Sequence, residues 1–317
     1  MYSSRRQPPH WLGLLAVALL VAGCADRRAA APGPVAPPGP AASSAGPGSP
    51  WSGCPDETEW SCAQQQRFAA VRSYLARTVR TNGFLGVVFT DRQTGHTWRG
   101  GATQRQGWTA STVKLAIAAD LLAEQRAGHL RLTDADRRDM DAMLNSSDEA
   151  ASDRLWKKFG GDDMLARFRE RFGMASLRFV PGFTARTYWG FVKCDTDDLA
   201  VLVDHVLVRT APSDRDYLVN ALRTVAPNQH WGVWAAGAAQ QPGNKDGWSD
   251  EADPYGRHWV TNTVGFAGPA QRYEVAVMYQ VDPAGSLSEG VHAVSDVVAL
   301  LFDQPVPAEV TLPLPDG

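Results

Sequence analysis

The chain has 317 residues, 44% of them hydrophobic, and its 31 basic and 34 acidic side chains leave a net charge of -3. That is ordinary globular composition, and with no basic run it excludes a nucleic-acid binder working through a cationic surface. It contains no H-E-x-x-H, C-x-x-C or P-loop pattern, which argues against a zinc hydrolase or a nucleoside triphosphatase, so no metal or cofactor is expected.

The N-terminal stretch reads as targeting and not as fold. Arg5 and Arg6 precede an apolar run from Trp11 to Val21, which closes on Val21-Ala22-Gly23-Cys24. A basic start, a short apolar stretch and small residues before a cleavage point are the parts of an export signal, too short for a membrane-spanning helix. A cysteine directly after Ala-Gly resembles the lipobox of bacterial lipoproteins. That resemblance implies cleavage after residue 23, a lipid on Cys24 and an extracytoplasmic protein anchored to the cell membrane. The Arg5-Arg6 pair leaves the general and the twin-arginine export routes both open. Residues 24–53 are dominated by Ala, Pro, Gly and Ser and read as a disordered tether. The folded domain is expected over residues 54–305, with a tail over 306–317.

Three further cysteines remain, Cys54, Cys62 and Cys194. Export permits a disulfide, and the spacing leaves open Cys54 with Cys62 or either of them with Cys194. Cys194 stands in no motif and reads as packing.

Glu59–Arg80 reads as an amphipathic helix with Phe68, Val71, Leu75 and Val79 on one stripe. Phe84–Thr90 is a strand, Asp91–Gly95 a turn and His96–Arg99 the returning strand. A helical region follows: Lys114–Glu124, Asp134–Met143, Asp148–Phe159, Asp162–Phe172, Thr196–Leu207 and Asp214–Val225. Strands return at Trp259–Phe266 and Tyr273–Tyr279, and a last helix covers Ser288–Phe302. This order predicts an α+β fold: an antiparallel sheet flanked by helices, built from both ends of the domain (about 54–110 and 226–305). An all-helical lobe is inserted over about 111–225, with a cleft between the lobes.

Three polar segments fall where such a cleft needs them. Ser111-Thr112-Val113-Lys114 opens an apolar helix, so Ser111 and Lys114 share a face at i and i+3, with the serine at the positive end of the helix. Ser147-Asp148-Glu149 lies at a loop-to-helix junction, and Lys245-Asp246-Gly247-Trp248 precedes the late strands. A plainer reading makes Ser147 the cap of a helix starting at Asp148, and Lys245-Asp246-Gly247 a surface turn. Lys158-Phe159-Gly160 repeats the Lys-x-Gly spelling but ends a helix, with the glycine as its stop.

In this order the segments resemble the Ser-x-x-Lys, Ser-x-Asn and Lys-Thr/Ser-Gly signatures of the serine β-lactamase and penicillin-binding protein superfamily, most closely its class A-like branch. The resemblance covers about Cys54 to Phe302. It implies acyl transfer, with Ser111 as nucleophile, Lys114 taking its proton and Ser147 passing a proton to the leaving nitrogen. Lys245 would lie against Ser147 and supply positive potential. The backbone N–H groups of Ser111 and Trp248 would form the oxyanion hole, and Gly247 would let substrate approach the strand closely.

The chain also departs from that pattern. Only 36 positions separate Ser111 from Ser147, so the helical lobe is expected to be trimmed. Glu149 stands where the family has a substrate-steadying asparagine, and a carboxylate accepts hydrogen bonds without donating them. Asp246 stands where a hydroxyl residue helps bind a substrate carboxylate, so repulsion is expected there. Glu170 is the only glutamate between Ala150 and Asn244, and the loop from Met174 to Asp195 lacks the deacylating glutamate of class A enzymes. The expected function is an exported, monomeric serine acyl-transfer hydrolase acting on a β-lactam or a cell-wall peptide amide, held to the membrane through Cys24. The alternative is a non-catalytic lipoprotein of the same fold that binds cell-wall peptide or a protein partner.

Overall fold

In a computed structural model of the chain, residues 59–180, 188–253 and 256–315 are described; the export signal, Cys24, the tether and Cys54 lie outside them. The chain divides into two units, Met1–Ser52 and Gly53–Gly317, and every described residue belongs to the second.

Helix α1 (Cys62–Thr78) starts three residues later than its apolar stripe suggests, because the Ser61 hydroxyl accepts from the Gln64 N–H and caps it there. Phe68, Val71 and Leu75 are buried as the stripe requires. Strands β1 (Phe84–Asp91) and β2 (His96–Gly101) form the expected hairpin. After β3 (Gly107–Trp108) comes one 3-10 turn, Ala110–Thr112, which feeds α2 (Val113–Arg126). The helical lobe continues with α3 (Asp134–Asn145), α4 (Glu149–Phe159) and α5 (Gly161–Phe172). Gly160, with φ +72°, stops α4 as the sequence indicates. Two short strands, β4 (Arg178–Phe179) and β5 (Val192–Cys194), join β3 in a small sheet of order β3-β5-β4. Helices α6 (Thr196–Asp204) and α7 (Pro212–Arg223) complete the lobe.

The main sheet is finished by β6 (Gly243–Asp253), β7 (Gly256–Ala267) and β8 (Tyr273–Gln280), and α8 (Leu287–Leu301) closes the core. Its order is β2-β1-β8-β7-β6, antiparallel throughout. Strand β6 is the principal difference from the sequence reading, which has no strand between Arg99 and Trp259. Its polar run, Gly-Asn-Lys-Asp-Gly-Trp-Ser-Asp-Glu-Ala-Asp, has little β propensity; pairing along nearly all of β7, from Gly243↔Phe266 to Asp253↔Gly256, holds it extended.

Side chains alternate across the sheet and so divide the core in two. Val275, Val277 and Tyr279 face α1 and α8, whereas Ala276 and Met278 face the helical lobe. Helix α2 is buried almost all round and forms the axis of that lobe, the pattern of an interior helix. Cys62 is disulfide-bonded, while Cys194 is a free, buried thiol beside Met278, which removes the pairings that involved Cys194.

Candidate active site

The turn that carries Ser111 is clamped from two sides. The Thr109 N–H and hydroxyl both donate to Val192 O on β5, at 3.0 and 3.2 Å. From β7, the buried Asn262 amide donates to Trp108 O at 2.8 Å and Thr109 O at 3.2 Å, while its oxygen accepts from the Tyr279 N–H. Ala110, just before the serine, is held at φ +45°, and Ser147 at φ +68°. Left-handed backbone at a non-glycine residue costs about 1–3 kcal/mol, and such strain gathers at functional sites.

Buried polar groups on α2 are otherwise paired. Arg167 of α5 holds Asp120 with two bonds of 2.8 and 2.6 Å, and Arg171 holds Glu124 at 2.7 Å. Lys114 is different: it is fully buried, and its ammonium donates to Ser147 O at 2.6 Å and Ser147 Oγ at 3.1 Å, with no carboxylate bonded to it. The Trp189 ring lies 4.4 Å from its nitrogen, its indole N–H tied to Asp153 at 3.0 Å. Burial pushes Lys114 down to about 8, against the opposing pull of Glu149, Asp148 and Asp153. Ser147 does not cap α4. Asp148 does, accepting from the Ala151 N–H at 2.7 Å, which leaves the Ser147 hydroxyl for Lys114.

Strand β6 brings in the third segment. A β-carbon on Gly247 would stand 2.6 Å from Ser111 N and 2.8 Å from Thr112 N, so only glycine allows the edge strand to lie this close to the serine turn. An edge strand also leaves alternate backbone N–H groups unpaired and open to a ligand. Lys245, on the same face as Gly247, is fully buried. It donates to Gln229 Oε1 and Asp246 O, both at 2.7 Å. Burial, reinforced by the nearby charge of Lys114, pushes it well below the usual lysine range.

Asp246 and Trp248 point to the other face, where the Trp248 ring lies near Trp231; Trp248 still borders the Ser111 cleft, whereas Asp246 does not line it. Asp246 sits opposite Thr263, wholly buried, with Thr263 and Asn244 as polar neighbours that form no well-made hydrogen bond to it. Burial pushes its carboxyl up to about 8. The structure does not bring Asp246 into the cleft with Ser111. It does bring Glu149 there, exposed at the first turn of α4.

Above Ser111 and Ser147 opens a cleft of about 270 Å³ walled by Glu149, Trp248, Asp250 and Pro315. A larger cavity of about 940 Å³ is lined by β1, β2 and α6; in it the Ser176 hydroxyl donates to Asp198 at 2.6 Å, but no lysine or histidine lines it, so the smaller cleft, with Lys114 bonded to Ser147, is the stronger candidate. Asp195 lines that larger cavity and caps α6 through the Asp198 N–H, away from Ser111. Among the described residues no group of His, Cys, Asp and Glu could hold a metal ion.

Comparison with known proteins accords with this geometry. Over 223 residues, 68% of each chain, the sequence is 31% identical to LppW of Mycobacterium bovis, a protein named as a lipoprotein, and equally to that of Mycobacterium tuberculosis. The chain belongs to the LppW family. No family model matches it. Among solved structures this LppW relative matches an ancestral class A β-lactamase (TM-score 0.58, 20% identity, 76% of this chain and 99% of that one). It also matches a β-lactamase of Xanthomonas campestris (0.59, 18%, 76% and 98%) and PBP-A (0.60, 18%, 76% and 94%). The fold is therefore that of class A β-lactamases and PBP-A. Three contributors to this site in the LppW relative went unnoticed in the sequence: Gln229, Asn262 and Trp189. None stands in a motif, and their polar or aromatic character carries no spacing signal.

Proposed function

We propose that the protein is an exported serine acyl-transfer hydrolase whose Ser111 forms an acyl-enzyme with a β-lactam or a cell-wall peptide amide. One observation carries this reading: a fully buried lysine without a carboxylate partner, bonded to Ser147 in the cleft that opens on Ser111. With its pKa near 8, a usable fraction of Lys114 is neutral at physiological pH. Ser111 Oγ attacks the carbonyl carbon and its proton passes to Lys114 Nζ. The oxyanion is held by the N–H groups of Ser111 and Trp248, with Lys245 supplying positive potential. Lys114 returns the proton through the Ser147 hydroxyl to the leaving nitrogen as its bond to the carbonyl carbon breaks, and the acyl group stays on Ser111. The lipoprotein name of the relatives supports lipid attachment at Cys24 after removal of residues 1–23; residues 24–53 then act as the tether of a monomeric domain outside the cytoplasmic membrane.

Deacylation has less support. The Met174–Asp195 loop presents the Trp189 ring to Lys114, and neither its described residues nor the sequence of 181–187 places a carboxylate over Ser111. A penicillin should therefore leave a persistent adduct on Ser111, seen by intact-mass spectrometry and absent from Ser111→Ala. Rapid multiple turnover would mean that another group activates water. No adduct, with peptide amides inert as well, would leave the non-catalytic binding protein as the better account.

A further inference from the structure

After α8 the chain turns back across the sheet and ends its described course at the Ser111 cleft. The Ala308 N–H donates to Asp296 of α8 at 2.7 Å, and Val310 packs on the core between α8 and the sheet. The Thr311 N–H donates to His230 O at 3.1 Å, and Pro313 is buried. The indole N–H of Trp248 then donates to Leu314 O at 2.8 Å, and Pro315 forms part of the cleft wall beside Ser111, Ser147 and Glu149. The side chains of Leu312 and Leu314 are exposed, so backbone bonds and the Pro313 ring fix this path, and not burial of the leucines.

The placement is selective because Trp248 follows Lys245-Asp246-Gly247 on the edge strand, the side from which a substrate meets Ser111. We propose that Thr311–Pro315 is a specificity-determining wall of the Ser111 cleft, which admits the slim end of an extended amide and holds out acyl donors with a bulky group beside the scissile bond. The inference rests on Ser111 being the nucleophile. At about 270 Å³ the cleft falls below the roughly 300–1,000 Å³ typical of sites for drug-sized ligands, and Pro315 is part of what keeps it small. Glu149 faces the same space, so the admitted end passes between an acidic residue and an apolar ring.

The test compares the full chain, a variant ending after Thr311, and Pro315→Gly, which keeps the backbone while removing the ring. Each is acylated with 6-aminopenicillanic acid, which lacks a side chain, and with a penicillin bearing a large fluorescent side chain, and the rate constants are read by intact mass. The bulky-to-small rate ratio should rise about tenfold on truncation, equivalent to about 1.4 kcal/mol, and by less in Pro315→Gly. A ratio equal in all three chains overturns the wall while leaving Ser111 chemistry standing. If neither compound acylates any chain, it is the Ser111 reading that fails. The wall is then judged by adding a peptide of residues 312–317 to the truncated chain and following tryptophan fluorescence. Saturable binding supports a seat for the tail beside Trp248, and no binding overturns it.

Discussion

Replacing Lys114 with methionine separates the role of its proton from the role of its bulk. Lys114 holds its proton to about pH 8 in the folded chain, against 10.5 for an ordinary lysine. Between those values the unfolded state binds more protons, so stability rises with pH across that window; below pH 8 the full penalty of charging a buried amine persists. A shift of about 2.5 units corresponds to about 3 kcal/mol. Lys114→Met removes this dependence, so its stability relative to the native chain should be greatest below pH 8 and decline by about 3 kcal/mol towards pH 10.5. Losing the donor to Ser147 O and Oγ adds an offset of about 1–3 kcal/mol the other way, without changing the slope. Removing the charge also relieves Lys245, which adds to the variant's relative stability at the pH values where Lys114 of the native chain is charged. Urea unfolding of both chains at several pH values from 7 to 10.5 gives the difference directly. In parallel, penicillin acylation of the native chain should climb about tenfold per pH unit and level off near pH 8, as expected of a single general base. Parallel stability profiles, or acylation flat from pH 6.5 to 9, would refute the claim that a buried, proton-exchanging Lys114 drives the site.

Gly247→Ala places a methyl group within 2.8 Å of two backbone nitrogens and should reduce acylation by about a hundredfold or more, with the circular dichroism spectrum retained. Asp246→Asn should stabilise the protein increasingly from pH 4 to 8, because the buried carboxyl remains protonated to about pH 8 while its unfolded counterpart ionises from 3.8; thermal melts at pH 5 and pH 8 check this. Its acylation rate should stay that of the native chain, since Asp246 faces away from Ser111. Arg167→Met leaves the buried Asp120 carboxylate with only Arg171, 3.7 Å away, and should cost up to about 3–5 kcal/mol in urea unfolding, recovered in part by adding Asp120→Asn.

The helical lobe was legible from apolar periodicity in α3, α4 and α5 and from Gly160 as a stop; the Thr133–Asp136 capping box, the Asp148 cap and Gly173 are punctuation that the structure adds. The Ser111 and Ser147 segments were legible as short motifs at the start of α2 and α4. Strand β6 was not, since its extended state comes from β7 and from packing around it and not from its own residues. Assigning Asp246 to the cleft failed for the same reason: once the segment is a strand, its neighbours Lys245 and Gly247 take one face and Asp246 the other. Gln229 and Asn262 act through single amide groups that reach across the fold, and the tail meets Trp248 through a backbone carbonyl. Contacts of that kind leave no periodic trace.

Strand β1 lies between β2 and β8, so the first hairpin of the domain must wait for a partner made near its other end. During synthesis Ser111 and Lys114 emerge early, whereas Gln229, Lys245, Gly247 and Asn262 come later. Until then α2, apolar on nearly every side, has only its neighbouring helices for cover and no sheet beneath it. A nascent chain stopped before β8 would thus carry Ser111 and Lys114 without the surroundings that bury that lysine, and would present a sticky helix instead. The burial of Lys114 and the covering of α2 are both deferred to the same late event, the docking of β6, β7 and β8 against the serine turn.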